Sequence, residues 1–181
     1  MVAKTPMWNR GGVLSLIESA DHRLMRRVHR WSAPRWIRLW MVSATRGGDG
    51  WLWYALGIVL LVFGGREGAL AVGQATAAAA SGVALFLWLK KRTARRRPCA
   101  LEKHCWAQLL PPDQFSFPSG HTITAFAVAV PVTAQFPEAA VGVWFCAVSI
   151  AVSRIILGMH FFSDVAAGAT LGWLLGTAAR A

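Results

Sequence analysis

Charge is scarce in this chain of 181 residues: only 15% are Asp, Glu, Lys or Arg, while 55% are hydrophobic. A soluble domain averages about 25% charged residues, so the composition points to a membrane protein, and the mean hydropathy of +0.43 agrees. Acidic side chains are scarcest, at 8 against 19 Lys and Arg, which leaves a formal net charge of +11. In a membrane protein that excess implies contact with anionic headgroups or a phosphorylated substrate. Nucleic acid is excluded as a partner, because long uncharged segments cannot form a soluble binding face.

Cysteine is also sparse. Three residues, at 99, 105 and 146, exclude a disulfide framework. Cys99 and Cys105 sit close together in one polar segment, where a disulfide and two thiols both stay open. A signal peptide is not expected. Lys4 and Arg10 are followed by Gly-Gly-Val-Leu-Ser-Leu-Ile and then Glu18, too short an apolar run. No internal repeat of fixed period occurs.

What is present is apolar and organised in runs. No charge occurs from Trp51 to Gly65 or from Gly68 to Leu89. Three more apolar stretches follow, with Arg154 and Asp164 as interruptions. The expected architecture is all-α: a polytopic membrane bundle of about five to six transmembrane helices. Five spans are expected at 51–65, 68–89, 121–137, 139–158 and 161–179, in one domain over 1–181. Residues 12–46 alternate apolar, aromatic and basic side chains at helical spacing, broken at Ser32-Ala33-Pro34. They read as amphipathic helices in the interface or as a solvated face packed on the bundle. Gly47-Gly48-Asp49-Gly50 reads as a turn into the first span, and 90–117 forms the one long polar segment.

Ionisable groups within apolar sequence are costly and usually functional. Three clusters stand out: Lys90 with Arg97-Pro98; Pro118-Ser119-Gly120-His121; and Ser153-Arg154, five residues, His160, three residues, Asp164. Counting spans puts all three at one membrane face. A phosphate ester needs its non-bridging oxygens neutralised, an in-line nucleophile, and a proton for the departing alkoxide. Lys90, Arg97 and Arg154 supply cations, two of which grip oxygens bidentately. On a continuous helix Lys90 and Arg97 would share a face, ended by Pro98. Ser119 and Gly120 open a helix, where backbone N–H groups and a hydroxyl bind anions. If helical, His160 and Asp164 share a face, so the carboxylate accepts Nδ1–H and leaves Nε2 to attack phosphorus. His121 then protonates the leaving oxygen and activates water.

In this order and spacing, Lys90-KRTARR-Arg97-Pro98, Pro118-Ser119-Gly120-His121 and Ser153-Arg154-IILGM-His160-FFS-Asp164 resemble the three-part signature of the type-2 phosphatidic acid phosphatase family. The resemblance implies metal-independent dephosphorylation through a phosphohistidine, with no cofactor. It implies Lys90, Arg97, Ser119, Gly120 and Arg154 as phosphate ligands, His160 as nucleophile, His121 as acid and Asp164 as partner of His160. The expected partners are a phosphorylated lipid substrate and membrane lipids.

Candidate substrates are a polyprenyl diphosphate such as undecaprenyl diphosphate, phosphatidylglycerophosphate, phosphatidic acid and a lipid A phosphate. Arg92, Arg95 and Arg96 would hold a second phosphate or attract anionic lipid. Phosphotransfer to a lipid or sugar hydroxyl, and a non-catalytic phospholipid-binding scaffold, are the alternatives. The expected location is a bacterial cytoplasmic (inner) membrane. Of the 19 Lys and Arg, 17 fall at the active-site face, which places that face in the cytoplasm by the positive-inside rule. Bacterial family members often act at the periplasmic face, and both orientations stay open.

Overall fold

The computed structural model describes residues 12–101 and 115–181. Lys4, Arg10 and Cys105 lie outside them, as does the middle of the polar segment. Eight α-helices follow in order among the described residues: α1 (Val13–Arg30), α2 (Arg35–Gly47), α3 (Trp51–Phe63), α4 (Gly65–Thr93), α5 (Pro98–Leu101), α6 (Gly120–Gln135), α7 (Ala140–Ile156) and α8 (Phe162–Ala178). A 3-10 turn, Pro137–Ala139, leads into α7.

Each apolar run becomes a helix, with shifted ends. α3 stops at Phe63, where Gly64 turns the chain. α4 starts before the expected span and runs beyond it, taking in Glu67 at its first turn and Lys90, Lys91 and Arg92 at its last. These charges complement the helix dipole, so the helix outlasts its apolar stretch. α4 and the stretch Pro137–Ile156 are each long and apolar enough to cross a membrane, while Trp51–Phe63 is apolar but shorter. Only 22% of the apolar window of α4 is buried. Phe63, Val141, Trp88 and Trp173 are exposed, so the bundle turns apolar side chains outward, as a surface in contact with lipid does.

α6 is the central helix, packed against α4, α7 and α8. Its contact with α8 is close because Gly168, Gly172 and Gly176 repeat every four residues on the facing side. A Cβ at Gly168 would lie 2.8 Å from the Ser119 carbonyl oxygen, and one at Gly176 2.7 Å from Cβ of Val130. Small residues at such spacing let helix backbones approach where lipid offers no hydrophobic drive for association. The core between α3, α4, α6 and α7 holds Trp53, Leu60, Ala71, Val128, Val132 and Ile150.

The N-terminal region breaks where the sequence indicated, at residues 31–34. α1 buries Asp21 and Met25, one turn apart, and leaves Val13, Leu16 and Ile17 exposed. α2 packs on α7, and α1 lies against α7 and α8.

Candidate active site

His160 sits in the tight turn between α7 and α8. Leu157 closes the α7 end, and Gly158, at φ 68, reverses the chain. The amides of Met159 and His160 both donate to the Arg154 carbonyl at 3.0 Å. The imidazole is almost fully buried. Its Nδ1 donates to the Ser116 carbonyl at 2.5 Å, and its Nε2 lies 3.1 Å from Nη1 of Arg97. A guanidinium only donates, so Nε2 is the acceptor and carries the lone pair. Burial, aided by Arg154 and Arg97, pushes this histidine down to about 4. Near pH 7 it is therefore a neutral base with its lone pair in the cleft.

The partner of Nδ1 differs from the sequence expectation. His160 precedes α8 rather than lying within it, and Asp164 Oδ2 is 3.8 Å from Nδ1, outside hydrogen-bond range. The carboxylate instead accepts the Phe161 amide at 2.8 Å and Nη1 of Arg95 at 2.6 Å. Asp164 thus caps α8 at its third residue and stands behind the histidine. Its backbone carbonyl accepts the Ser119 amide at 3.1 Å, which joins the starts of α6 and α8.

His121, in the first turn of α6, shares the cleft with His160. Its Nε2 lies 2.7 Å from Oδ1 of Asp49. Gly48 presses on the ring, since a Cβ there would come within 3.1 Å of the imidazole Cδ2. Arg154, buried in the last turn of α7, donates to the Thr45 hydroxyl on α2. Arg97, also buried, donates to the Met159 carbonyl at 2.8 Å.

Arg97 reaches the site by another route than a continuous helix. α4 ends at Thr93, and Ala94 adopts a left-handed φ of 47 with its amide on the Lys90 carbonyl. The chain then runs extended, pairing Arg96 with Phe115, before Pro98 opens α5. Lys90 is buried in the last turn of α4 with Nζ 4.3 Å from the Phe86 ring centroid.

These groups surround a cleft of about 380 Å³ lined by Arg97, Gly120, His121, Arg154, His160 and Asp49. Five of the eight sequence candidates therefore line it. Lys90 stands behind Phe86, itself a wall of the cleft. Ser119 is fully buried, its hydroxyl 2.9 Å from that of Thr122. Asp164 lies behind His160.

A profile of the PAP2 superfamily matches residues 69–181. The chain belongs to this family. A lipid A 1-phosphatase of Rhizobium johnstonii is 30% identical over 146 residues, covering 70% of this chain and 59% of that protein. One from Rhizobium etli is 39% identical over 57 residues, covering 32% of this chain and 25% of that protein. The chain thus spans less than two thirds of these relatives. Two solved structures share the fold. The crystal structure of Aquifex aeolicus LpxE aligns with a TM-score of 0.72 at 21% identity, covering 97% of this chain and 99% of that one. That of a transmembrane PAP2-type phosphatidylglycerolphosphate phosphatase from Bacillus subtilis aligns with a TM-score of 0.70 at 24% identity, covering 91% and 85%.

Within this PAP2 chain, sequence reasoning missed Asp49, Ser116, Thr45 and Asp21. Asp49 sat in a glycine-rich segment that reads as a turn, and a single carboxylate among glycines beside an apolar run was its only signal. On sequence grounds Arg95 would attract lipid or hold a second phosphate. It is instead buried between Asp164, at 2.6 Å, and Asp21, at 2.7 Å, which uses its charge internally.

Proposed function

We propose that this protein is an integral membrane lipid phosphatase that cleaves a headgroup phosphate through a phosphohistidine on His160, without a metal. One observation carries this reading: the cationic cleft runs into an apolar groove. The groove, about 300 Å³, lies between α3, α4 and α6 and shares Gly50, Tyr54, Val83 and Thr124 with the cleft. Its α3 wall runs from Gly50 to Leu60, about 15 Å at 1.5 Å per residue. That is one leaflet of a hydrocarbon core roughly 30 Å thick. A molecule with its phosphate between Arg97 and Arg154 would lay one chain along it.

The chemistry follows from the placement. Nε2 of His160 attacks phosphorus while the Ser116 carbonyl holds Nδ1–H. The bond from phosphorus to the lipid oxygen breaks, and His121 delivers a proton to that oxygen. His121 then takes a proton from water, whose oxygen attacks phosphorus. The P–N bond breaks, and inorganic phosphate leaves. Arg97 and Arg154 neutralise the non-bridging oxygens throughout. Asp49 holds the His121 ring at the leaving-group side, which gives a carboxylate a purpose in an otherwise anion-binding cleft.

The names of the Rhizobium relatives favour the 1-phosphate of lipid A as substrate, with phosphatidylglycerophosphate as the second choice. We read the apolar helices α3, α4, α6, α7 and α8 as the membrane spans. Purified protein in detergent micelles with EDTA, offered lipid A, phosphatidylglycerophosphate, phosphatidic acid and undecaprenyl diphosphate, should release inorganic phosphate fastest from lipid A. Abolition of all turnover by EDTA would overturn the mechanism. Transfer of labelled phosphate to an acceptor hydroxyl rather than to water would make the protein a phosphotransferase.

A further inference from the structure

Three ionic groups that do not line the cleft are buried together behind it. Asp21 on α1, Arg95 after α4 and Asp164 on α8 are exposed by only 4%, 7% and 0%. One Nη of Arg95 reaches Asp21 Oδ2 at 2.7 Å, and the other reaches Asp164 Oδ1 at 2.6 Å. Ser163 completes the set. Its amide donates to Asp21 Oδ1 at 3.1 Å, its hydroxyl donates to Asp21 Oδ2, and that hydroxyl receives Nη1 of Arg95 at 2.7 Å. The Arg95 guanidinium also lies 4.2 Å from the Phe161 ring centroid, and His22 meets the same ring edge-on at 5.0 Å.

We propose that α1 is a working part of the active site, with Asp21 a positioning residue that acts through Arg95 on the His160 segment. The inference rests on His160 being the nucleophile. Phe161, Ser163 and Asp164 follow His160 in sequence, and each is held by α1 or by Arg95. Asp164 in turn fixes the Phe161 amide and the Ser119 amide, so the clamp sets where both His160 and the start of α6 stand. A displacement of about 1 Å at a reacting group costs on the order of 10²-fold in rate.

Charge balance alone does not require Asp21. Arg95 and Asp164 would already form a neutral pair, and a second buried carboxylate adds desolvation cost near an anion-binding site. What Asp21 adds is a tie between α1 and the catalytic turn. The outward side of α1 carries Leu16 and Ile17 among Arg23, Arg26, Arg27 and Arg30, the pattern of a helix lying on anionic headgroups. The nucleophile is thereby fastened to the element that meets the membrane surface.

The test compares wild type with Asp21→Asn, Asp21→Glu, Arg95→Lys and Met25→Ala in phosphate release from the best lipid of the panel above, alongside thermal unfolding. Asp21→Asn and Arg95→Lys should lower kcat at least tenfold with KM within twofold of wild type. Asp21→Glu should recover kcat to within threefold. Met25 is buried on the same side of α1, so Met25→Ala is the packing control and should lower the melting temperature while keeping kcat. If kcat per folded molecule is unchanged in Asp21→Asn or Arg95→Lys, or if Met25→Ala loses as much kcat as Asp21→Asn, the clamp is structural and the proposal falls. If Asp21→Asn does not fold, Arg95→Lys with Asp21→Glu decides by the same criteria. A wild type inactive on every lipid would instead overturn the phosphatase reading itself.

Discussion

On the proposed mechanism His160 attacks phosphorus only while neutral, and its surroundings keep it so. Burial is the largest cause, and the Arg154 and Arg97 charges add to it. That mechanism needs the unprotonated form, so the acid limb of kcat/KM should fall near pH 4, well below an ordinary histidine at about 6.5. A pH–rate profile of phosphate release checks this, and an acid limb near 6.5 would contradict it. Asp49→Ala removes the group that orients His121 and should lower kcat by ~10-fold or more, part of the ~10²–10⁴-fold that acid–base help is typically worth. Asp49→Asn retains an acceptor oxygen and should lose less.

At the scale of elements, close approach of α6 and α8 brings the two histidines together. The glycines of α8 make it possible, and Gly172 faces the backbone of Ile123 most tightly. Gly172→Val should destabilise the bundle by about 3 kcal/mol, the upper part of the usual cost of overpacking, read as a fall in melting temperature in detergent. The three motifs were legible because each is local: His160 and Asp164 lie four apart, and Pro118 to His121 are contiguous. Their partners were not. Asp49 meets His121 across 72 positions, Asp21 meets Arg95 across 74 and Thr45 meets Arg154 across 109. Helical spacing also misled at two places, because it assumes that a helix continues. Ala94 ends α4 before Arg97, and Gly158 breaks the chain before His160.

The whole molecule is a bundle with a charged end and an apolar flank. The apolar runs showed the helices, but not the groove between α3, α4 and α6, whose lining includes the small residues Gly57, Ala75 and Ala79. A Cβ at Gly57 meets nothing within 4 Å and Gly57 lines the groove, so Gly57→Phe should place its ring in the groove while the helices stay folded. It should lower kcat/KM for a long-chain lipid at least tenfold and leave a short-chain phosphate ester within twofold. Equal loss on both substrates would contradict a chain-binding role for the groove. The buried cations Lys90, Arg95, Arg97 and Arg154 belong to the site and its supports, so they do not bear on membrane sidedness as loop charges do.

The central claim is that phosphate passes through His160. Rapid acid-free quenching of the protein with ³²P-labelled lipid, in EDTA, followed by peptide mapping, tests it most directly. The account predicts acid-labile phosphate on the peptide containing His160, absent from His160→Ala, which should also lose turnover. Full turnover by His160→Ala, or label on another residue, would contradict it.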